Sequence, residues 1–400
     1  MRILHTVEFY HPSVGGMQEA VRQISERLAK KGHQVTVATT KLPERKEKVH
    51  NGVQIVEFAA SGNLVNGMKG EVQQYQDFLL GSQFDVIVNF AAQQWATDAA
   101  LPILERLTAK KVFVPTGFSG LYLPVYKDYF TQMQEWMKTY DANVFLSARY
   151  RDINFARDNG ITAKYLITNG AAFDEFAPTR ETDIRKKLGI APNNFLIIHV
   201  GTHTGAKGHA EAIELFARAN IKNATLVIIG NIVGSARCLL KCKWQSTLVN
   251  YTPKQRRRNK KVLLVDMSRV DTVAAYQQAD LFLFPSNIEC SPIVLFECLA
   301  SRTPFLTTDV GNAVEIIEWT GAGQILPTTK TPNGCSVALV KESAAALEKL
   351  YFDIERRATM AENGYKRWHE KYTWEKVADS YELLYQELMA GRRCAELAID

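Results

Sequence analysis

The stretch Pro285-Ser286-Asn287-Ile288-Glu289-Cys290-Ser291-Pro292-Ile293-Val294-Leu295-Phe296-Glu297-Cys298-Leu299-Ala300 decides the fold. Just before it, Asp280 to Phe284 reads DLFLF, a short apolar run closed by a Pro-Ser turn, as expected for a buried parallel strand. Ser291-Pro292 suits a helix start, with Ser as N-cap and Pro at the first helical position. Glu289 then falls in the loop at the strand's C-terminal end and Glu297 in the second turn of the following helix. Open α/β sheets bind ligands at that edge. A carboxylate among Val294, Leu295 and Phe296 is costly to bury unless hydrogen-bonded. A polyhydroxylated partner, a sugar or a ribose, would supply the donors.

Working outward, short apolar strands alternate with amphipathic helices along nearly the whole chain, which argues for parallel, doubly wound sheets. Strands are expected at Ile3–Val7, Val35–Thr39, Val53–Phe58, Phe84–Val88, Val112–Pro115, Asn143–Ser147 and Tyr165–Thr168. In the second half they are expected at Phe195–Val200, Thr225–Ile229, Val262–Val265, Leu281–Phe284 and Pro304–Thr307. Helices are expected at Met17–Lys31, ending at Gly32, and at Trp95–Lys110. The pattern starts afresh near residue 195, after a charged stretch from Asp174 to Asn194 that reads as a linker with one short helix. The tail from Thr373 to Met389 is amphipathic and helical.

The 400 residues suggest two domains, and 46% apolar with 22% charged content is ordinary for a soluble globular protein. No apolar run reaches the roughly 20 residues needed to span a bilayer. The N-terminus enters a strand at once without a signal-peptide core, so a cytoplasmic location is expected, with membrane association open. Six cysteines are scattered over the chain. Cys238-x3-Cys242 has no partnering Cys/His pair in the sequence, so no zinc site is expected. The net charge of +6 is uneven: Lys241 to Lys261 carries eight basic and no acidic residues, leaving the remainder at −2. That segment reads either as a solvated loop or as a patch for an anionic membrane surface. Nucleic acid is not expected as a partner, since an Arg-Arg-Arg run alone says little.

Gly15-Gly16 opens a helix after the first strand, where backbone amides accommodate a phosphate; a plain strand–helix turn is the alternative. No GxGxxG occurs there. Val200 to His209 includes Gly205-Ala206-Lys207-Gly208, but the residue after Lys207 is Gly, so the P-loop spacing fails. Lys207 can still neutralise a phosphate as a point charge, or be a solvated surface lysine. His203 and His209 read equally as loop and helix-start residues. His5 and His199 lie within strands and read as satisfied core residues. His11 precedes the Gly pair in a loop and is a candidate substrate contact. Asn169-Gly170 reads as a turn, its plain role a hinge between the domains.

In order and spacing these features resemble the retaining nucleotide-sugar glycosyltransferases of the GT-B fold, family 4. The resemblance runs from the Pro12-Ser13-Val14-Gly15-Gly16 loop through Leu146-Ser147, Asn169-Gly170 with Phe173-Asp174-Glu175-Phe176, and Val200-Gly201 with Lys207-Gly208. It continues to the Glu289/Glu297 pair and Thr373-Trp374. It implies two Rossmann-like domains facing across a cleft. Residues 1–185 would bind acceptor, completed by the C-terminal helix 373–390, and residues 186–372 would bind a nucleotide-sugar donor. Glu297 would hold the ribose hydroxyls, and Glu289 hydroxyls of the transferred sugar. Amides of Ile293 and Val294 would contact the diphosphate with Lys207 and Gly16. Gly15, Thr202 and Ser291 complete the implied donor set; His11, Thr116 and Gly117 form the implied acceptor set; Glu289 and Lys207 carry the catalysis. The leaving diphosphate would be stabilised without a metal, so no cofactor is implied. The acceptor would be a glycan or lipid-linked hydroxyl.

Two positions depart from the family pattern. Thr202 stands where the family usually has Arg, so one diphosphate contact is missing or comes from elsewhere, the basic segment being one source. The run Pro115-Thr116-Gly117-Phe118-Ser119 lacks the histidine often found there, which leaves acid/base assignment open. Two other readings stay open: a degenerate transferase serving as a membrane- or polyanion-binding module, and a sugar-nucleotide epimerase of the same architecture.

Overall fold

The computed structural model describes residues 1–178, 181–231 and 236–399. The chain divides into two compact units, Met1–Asn169 with Trp374–Asp400, and Gly170–Thr373. Among the described residues no helix is long and apolar enough to cross a membrane.

The first unit is built on β1 (Arg2–Thr6), β2 (Gln34–Thr40), β3 (Val49–His50) and β4 (Val53–Phe58). A small antiparallel hairpin, β5 (Ala60–Asn63) and β6 (Gly67–Gly70), precedes β7 (Val86–Phe90), β8 (Lys110–Val114), β9 (Ala142–Phe145) and β10 (Lys164–Leu166). The main sheet has the order β10-β9-β8-β7-β1-β2-β4-β3 and is parallel except for the short β3. Val86 to Phe90 is buried at every position, as a strand covered on both faces must be. β7 starts two residues later than the sequence suggests, because Asp85 turns its carboxylate back to accept from the Arg2 amide. The expected Trp95–Lys110 helix is instead a Trp95–Asp98 turn followed by a 3₁₀ segment, Leu101–Arg106. Pro102 has no N–H to continue an α-helical ladder.

The Trp374–Met389 helix belongs to this first unit. It packs on the Gly16–Lys30 helix and buries Trp374, Tyr381, Leu384 and Tyr385. Arg27 reaches Glu375 at 2.7 Å, and Lys31 reaches Asp379 at 2.6 Å. His5 is a core residue, as its strand position suggested. Its Nδ1 lies 2.7 Å from the Ser25 hydroxyl, its Nε2 lies 3.3 Å from the Tyr385 hydroxyl, and burial pushes its pKa down to about 3.

The second unit carries β11 (Phe195–Val200), β12 (Ala224–Ile229), β13 (Lys260–Val265), β14 (Leu281–Phe284), β15 (Phe305–Thr307) and β16 (Gly323–Ile325). All are parallel, in the order β13-β12-β11-β14-β15-β16. The chain winds outward from β11 to β13 and then outward from β14 to β16 on the other side. The strand order therefore reverses between β11 and β14, which opens a crevice beyond their C-terminal ends.

The division falls at Asn169, not at the expected residue 185. Residues 170–178 and 181–185 pack with the second unit because its apolar cluster is incomplete without Phe176 and Ile184. Phe176 meets the Tyr276 ring at 6.1 Å, the Trp368 indole donates to the Ala171 carbonyl at 3.1 Å, and Arg185 pairs with Asp280 at 2.9 Å.

Trp374 is among the largest fully buried side chains, and it anchors the last helix. Trp374→Ala is expected to destabilise the protein by roughly 3–5 kcal/mol, through lost burial and the cavity left behind. Urea unfolding checks this; an unchanged midpoint would mean that the helix is not held by that anchor.

Candidate functional site

The loops that follow β11 and β14 meet at the crevice. Gly208 adopts φ +74, and a Cβ there would lie 2.0 Å from the Pro285 carbonyl oxygen, so the close approach requires glycine. The Ala206 carbonyl accepts from the Asn287 amide at 2.8 Å and lies 3.2 Å from the Ser286 hydroxyl oxygen. This clamp brings Lys207 onto Glu289: the ammonium lies 2.8 and 2.9 Å from the two carboxylate oxygens. Ser286, which sequence reasoning passed over, donates to Glu289 at 2.7 Å. Lys207 is thus a paired, half-buried cation, not a solvated one.

The following helix runs Ile293–Ala300, with Pro292 rather than Ser291 at the N-cap position and no side-chain cap. The Ser291 hydroxyl instead accepts from the Asn312 side-chain amide at 3.0 Å. Ile293 and Val294 are the first helical residues, whose amides have no intrahelical acceptor. Glu297 lies in the second turn and is almost wholly buried. It pairs with Arg269 at 2.6 Å, and Arg269 also reaches Glu175 at 2.6 Å. Tyr276 lies nearby, and burial first, then the Glu297 charge, pushes its hydroxyl well above the usual range. Arg269 opens the helix Arg269–Gln278 after β13, and Ser268 caps it. Its only sequence signal was a Ser-Arg pair after a strand. Thr202 sits in the β11 loop, where its carbonyl accepts from the Thr204 amide at 2.8 Å.

The structure thus places Thr202, Lys207, Glu289, Ser291, Ile293, Val294 and Glu297 on the C-terminal edge of one sheet. Gly15, Gly16, His11, Thr116 and Gly117 belong to the other unit. Gly15 caps the Gly16–Lys30 helix. His11 stacks on His50 with ring centroids 3.7 Å apart, lining a hollow of about 400 Å³ with Arg45 and Glu47. Burial first, then the His50 charge, lowers its pKa. Thr116, Gly117 and Phe118 follow β8 with φ of 59, 102 and 47, three consecutive left-handed residues. A β-branched residue there is strained. Asp152, missed from sequence, holds that loop by accepting from the Gly117 amide at 2.9 Å. Gln93 adds contacts to the Gly120 amide at 3.1 Å and the Ser119 hydroxyl at 3.2 Å.

Two expectations change. Arg256–Arg258, Lys260 and Lys261 lie at the amino-terminal start of β13, the edge opposite the crevice, so those residues cannot supply the contact missing at Thr202. Lys260 is buried there and donates to the carbonyls of Phe216, Ala217 and Ala219, capping the end of the His209–Arg218 helix. Cys238-x3-Cys242 does have histidine partners in space. His203 Nδ1 lies 3.5 Å from the Cys238 sulfur and His209 Nδ1 4.0 Å. His199, in contrast, is a core residue whose Nδ1 meets the Leu283 carbonyl at 2.8 Å.

Residues 180–367 match the family model described as glycosyl transferases group 1. The chain is 22% identical over 396 residues to N-acetyl-alpha-D-glucosaminyl L-malate synthase of Bacillus anthracis, covering 95% of this chain and 96% of that one. Sucrose-phosphate synthase of Thermosynechococcus elongatus superposes with a TM-score of 0.75 at 16% identity, over 98% of this chain and 100% of that one. Anabaena HepE in complex with UDP and glucose superposes with a TM-score of 0.73 at 17% identity, over 97% and 100%. The fold is the GT-B fold of these glycosyltransferases.

The Asp152 carboxyl carries a pH signature. Burial raises its pKa to about 6, against its amide hydrogen bonds. The folded state then keeps a proton that the unfolded state releases near pH 4, so this group's stabilising contribution is full below pH 4 and lost as pH rises to about 6. Asp98 shifts in the same direction, also to about 6. Asp152→Asn cannot titrate, so the stability gap between wild type and variant is expected to shrink by up to about 3 kcal/mol from about pH 4 to about pH 6. Urea unfolding at both pH values reads it, and a gap that stays constant would sink the assignment.

Proposed function

Since residues 180–367, within the second unit, belong to the glycosyl transferases group 1 family, we propose that the protein is a retaining hexosyltransferase. It moves a sugar from a UDP- or GDP-sugar to a hydroxyl of a glycan or lipid-linked acceptor. The observation that carries this reading is the gathering of Lys207, Glu289 and Glu297 at the strand-order reversal between β11 and β14. Glu297 offers a buried carboxylate to two adjacent ribose hydroxyls, held in place by Arg269. Glu289, already accepting from Ser286 and Lys207, faces the transferred sugar's hydroxyls. Lys207 and the Ile293 and Val294 amides stabilise the departing diphosphate, so transfer needs no metal. The bond from the anomeric carbon to the phosphate oxygen breaks as the acceptor oxygen bonds that carbon on the same face. The acceptor proton passes to the leaving diphosphate. On the first unit, His11 and the strained Thr116-Gly117 loop receive the acceptor. The solved complex of HepE with UDP and glucose supports the donor class.

A thermal-shift screen against UDP-, GDP- and ADP-sugars tests the donor, because a ligand of the native state raises its apparent stability. Glu297→Ala is expected to abolish the shift, and Lys207→Ala to lower kcat by about 10²–10³-fold. If no nucleotide sugar shifts the melting point and neither variant changes turnover, the reading fails.

Association with an anionic membrane belongs to the same proposal. The Ala236–Tyr251 helix buries Cys242, Ser246 and Val249, yet leaves Leu240, Trp244, Leu248 and Tyr251 exposed along another stripe, with Trp244 at 64%. Lys241, Lys243, Lys254 and Arg256–Arg258 flank that stripe, a combination that suits an anionic lipid surface. Sedimentation with phosphatidylglycerol vesicles is expected to retain the wild-type protein and to lose most of a Trp244→Ser variant with Arg256–Arg258 reversed to Glu. Equal retention of both removes the segment from membrane binding.

A further inference from the structure

The donor reading leaves two cysteines and two histidines of the second unit without a role. We propose that His203, His209, Cys238 and Cys242 form a tetrahedral zinc site. It would tie the Gly201–Gly208 loop to the helix Ala236–Tyr251.

The topology brings these residues together. β11 and β12 are neighbours, so the helices that follow them, His209–Arg218 and Ala236–Tyr251, start at the same sheet edge and pack on each other. Cys238 and Cys242 are four residues apart and share one face of the second helix. His203 comes from the loop after β11, and His209 opens the first helix. The ligand atoms of His203, Cys238 and Cys242 lie within 4.8 Å of one another. Zinc bond lengths of about 2.3 Å to sulfur and 2.0–2.1 Å to nitrogen imply tetrahedral edges of about 3.6 Å between S and N. The observed 3.5 Å from His203 Nδ1 to the Cys238 sulfur matches that edge; His209 Nδ1, 4.0 Å from the same sulfur, lies outside the group of three and must move inward as the fourth ligand.

Orientation supports the same assignment. His209 Nε2 lies 2.8 Å from the Gly201 carbonyl, so it carries the proton and leaves the Nδ1 lone pair toward the sulfur. A ligating histidine characteristically donates its other N–H to such an acceptor. The two imidazole rings stack at 4.2 Å, which fixes both. His203, His209 and Cys242 are buried, whereas Cys238 and His209 border a hollow of about 210 Å³, an access route for the ion. Two thiolates and two imidazoles select zinc over magnesium or calcium, which prefer oxygen ligands. The ion is structural: all four positions are filled by protein, and none is left open for a substrate. Its effect on Lys207, which lies between His203 and His209 in sequence, rests on the donor reading; metal binding itself does not.

The test uses the full-length protein. Elemental analysis is expected to find about one zinc per chain. Replacement by Co(II) is expected to give the thiolate-to-cobalt charge-transfer absorption and the intense visible bands of a tetrahedral site. Cys242→Ser is expected to lose most of the charge-transfer intensity and to weaken Co(II) binding at least about tenfold, with circular dichroism reporting that it is folded. Cys335→Ser, outside the cluster, is expected to keep the full spectrum. Wild-type protein that is folded, carries no zinc and gives no charge-transfer band would overturn the site. So would a Cys242→Ser spectrum equal to wild type, or thiol titration that finds Cys238 and Cys242 joined in a disulfide. None of these readouts depends on glycosyl transfer.

Discussion

The contact between the Gly208 backbone and the Pro285 carbonyl is the constraint on which the rest of the second unit's binding edge depends. Two adjacent parallel strands splay their loops apart unless something draws the loops back together. Here the absence of one Cβ, at a residue in the left-handed region, allows the loops to touch. The Ala206 carbonyl then takes the Asn287 amide from the neighbouring loop. Only in that register can the Lys207 ammonium reach both oxygens of Glu289. Without Lys207, the largely buried Glu289 carboxylate would carry a desolvation cost with no cation to offset it among the described residues. The neighbouring strand obeys the same logic: a Cβ on Gly230 would lie 2.0 Å from the Gly201 carbonyl, so the ends of β11, β12 and β14 are gathered by backbone proximity.

Buried carboxylates are satisfied in two ways, by a cation or by hydrogen-bond donors alone. In the second unit Glu289 faces Lys207 and Glu297 faces Arg269. In the proposed reading, a polyhydroxylated, phosphate-bearing ligand exchanges into these pairs: hydroxyls replace or share the cation on the carboxylate while the cation turns to phosphate. In the first unit the buried Glu26 likewise faces Arg22, whereas Asp98 and Asp152 accept from amides and a tyrosine hydroxyl. Hydrogen bonds of that kind hold loops in shape. Asp152 keeps the strained Thr116-Gly117-Phe118 turn in place, and strain of this sort persists only where its surroundings over-determine it.

What the sequence revealed follows from the range of the forces involved. Phe195–Val200 and Leu281–Phe284 were legible to the residue because a strand buried on both faces is almost wholly apolar, His199 being the exception. The Trp95–Lys110 segment was misread because its apolar periodicity outweighed Pro102, which blocks the ladder. Ser291-Pro292 looked like a capped helix start, but Pro292 occupies the cap and the serine hydroxyl is drawn to Asn312, twenty-one residues away. The domain boundary was misplaced because Phe176 and Ile184 join the second core as isolated apolar residues in a charged stretch, with no periodicity to mark them. Arg269 on Glu297, Asp152 on Gly117, and His203 beside Cys238 are contacts between distant segments. Residue type hinted at the chemistry in each case, but only the fold could pair them.

The basic segment shows how topology partitions charge that composition lumps together. Its eight cations fall within one stretch of sequence, yet the chain crosses the unit between Lys241 and Lys261. β13 spans six residues, about 20 Å at 3.3 Å per residue, and Arg256–Arg258 precede its start while the crevice lies beyond the ends of the strands. Lys260 is consumed inside the unit as a helix cap. At physiological ionic strength the screening length is about 8 Å, so exposed charges a full strand away contribute little to the potential felt at the crevice. Charge felt at the crevice must therefore be local, and Lys207 and Arg269 are cations placed there. The distant arginines are left to act on whatever surface meets the far edge of the sheet.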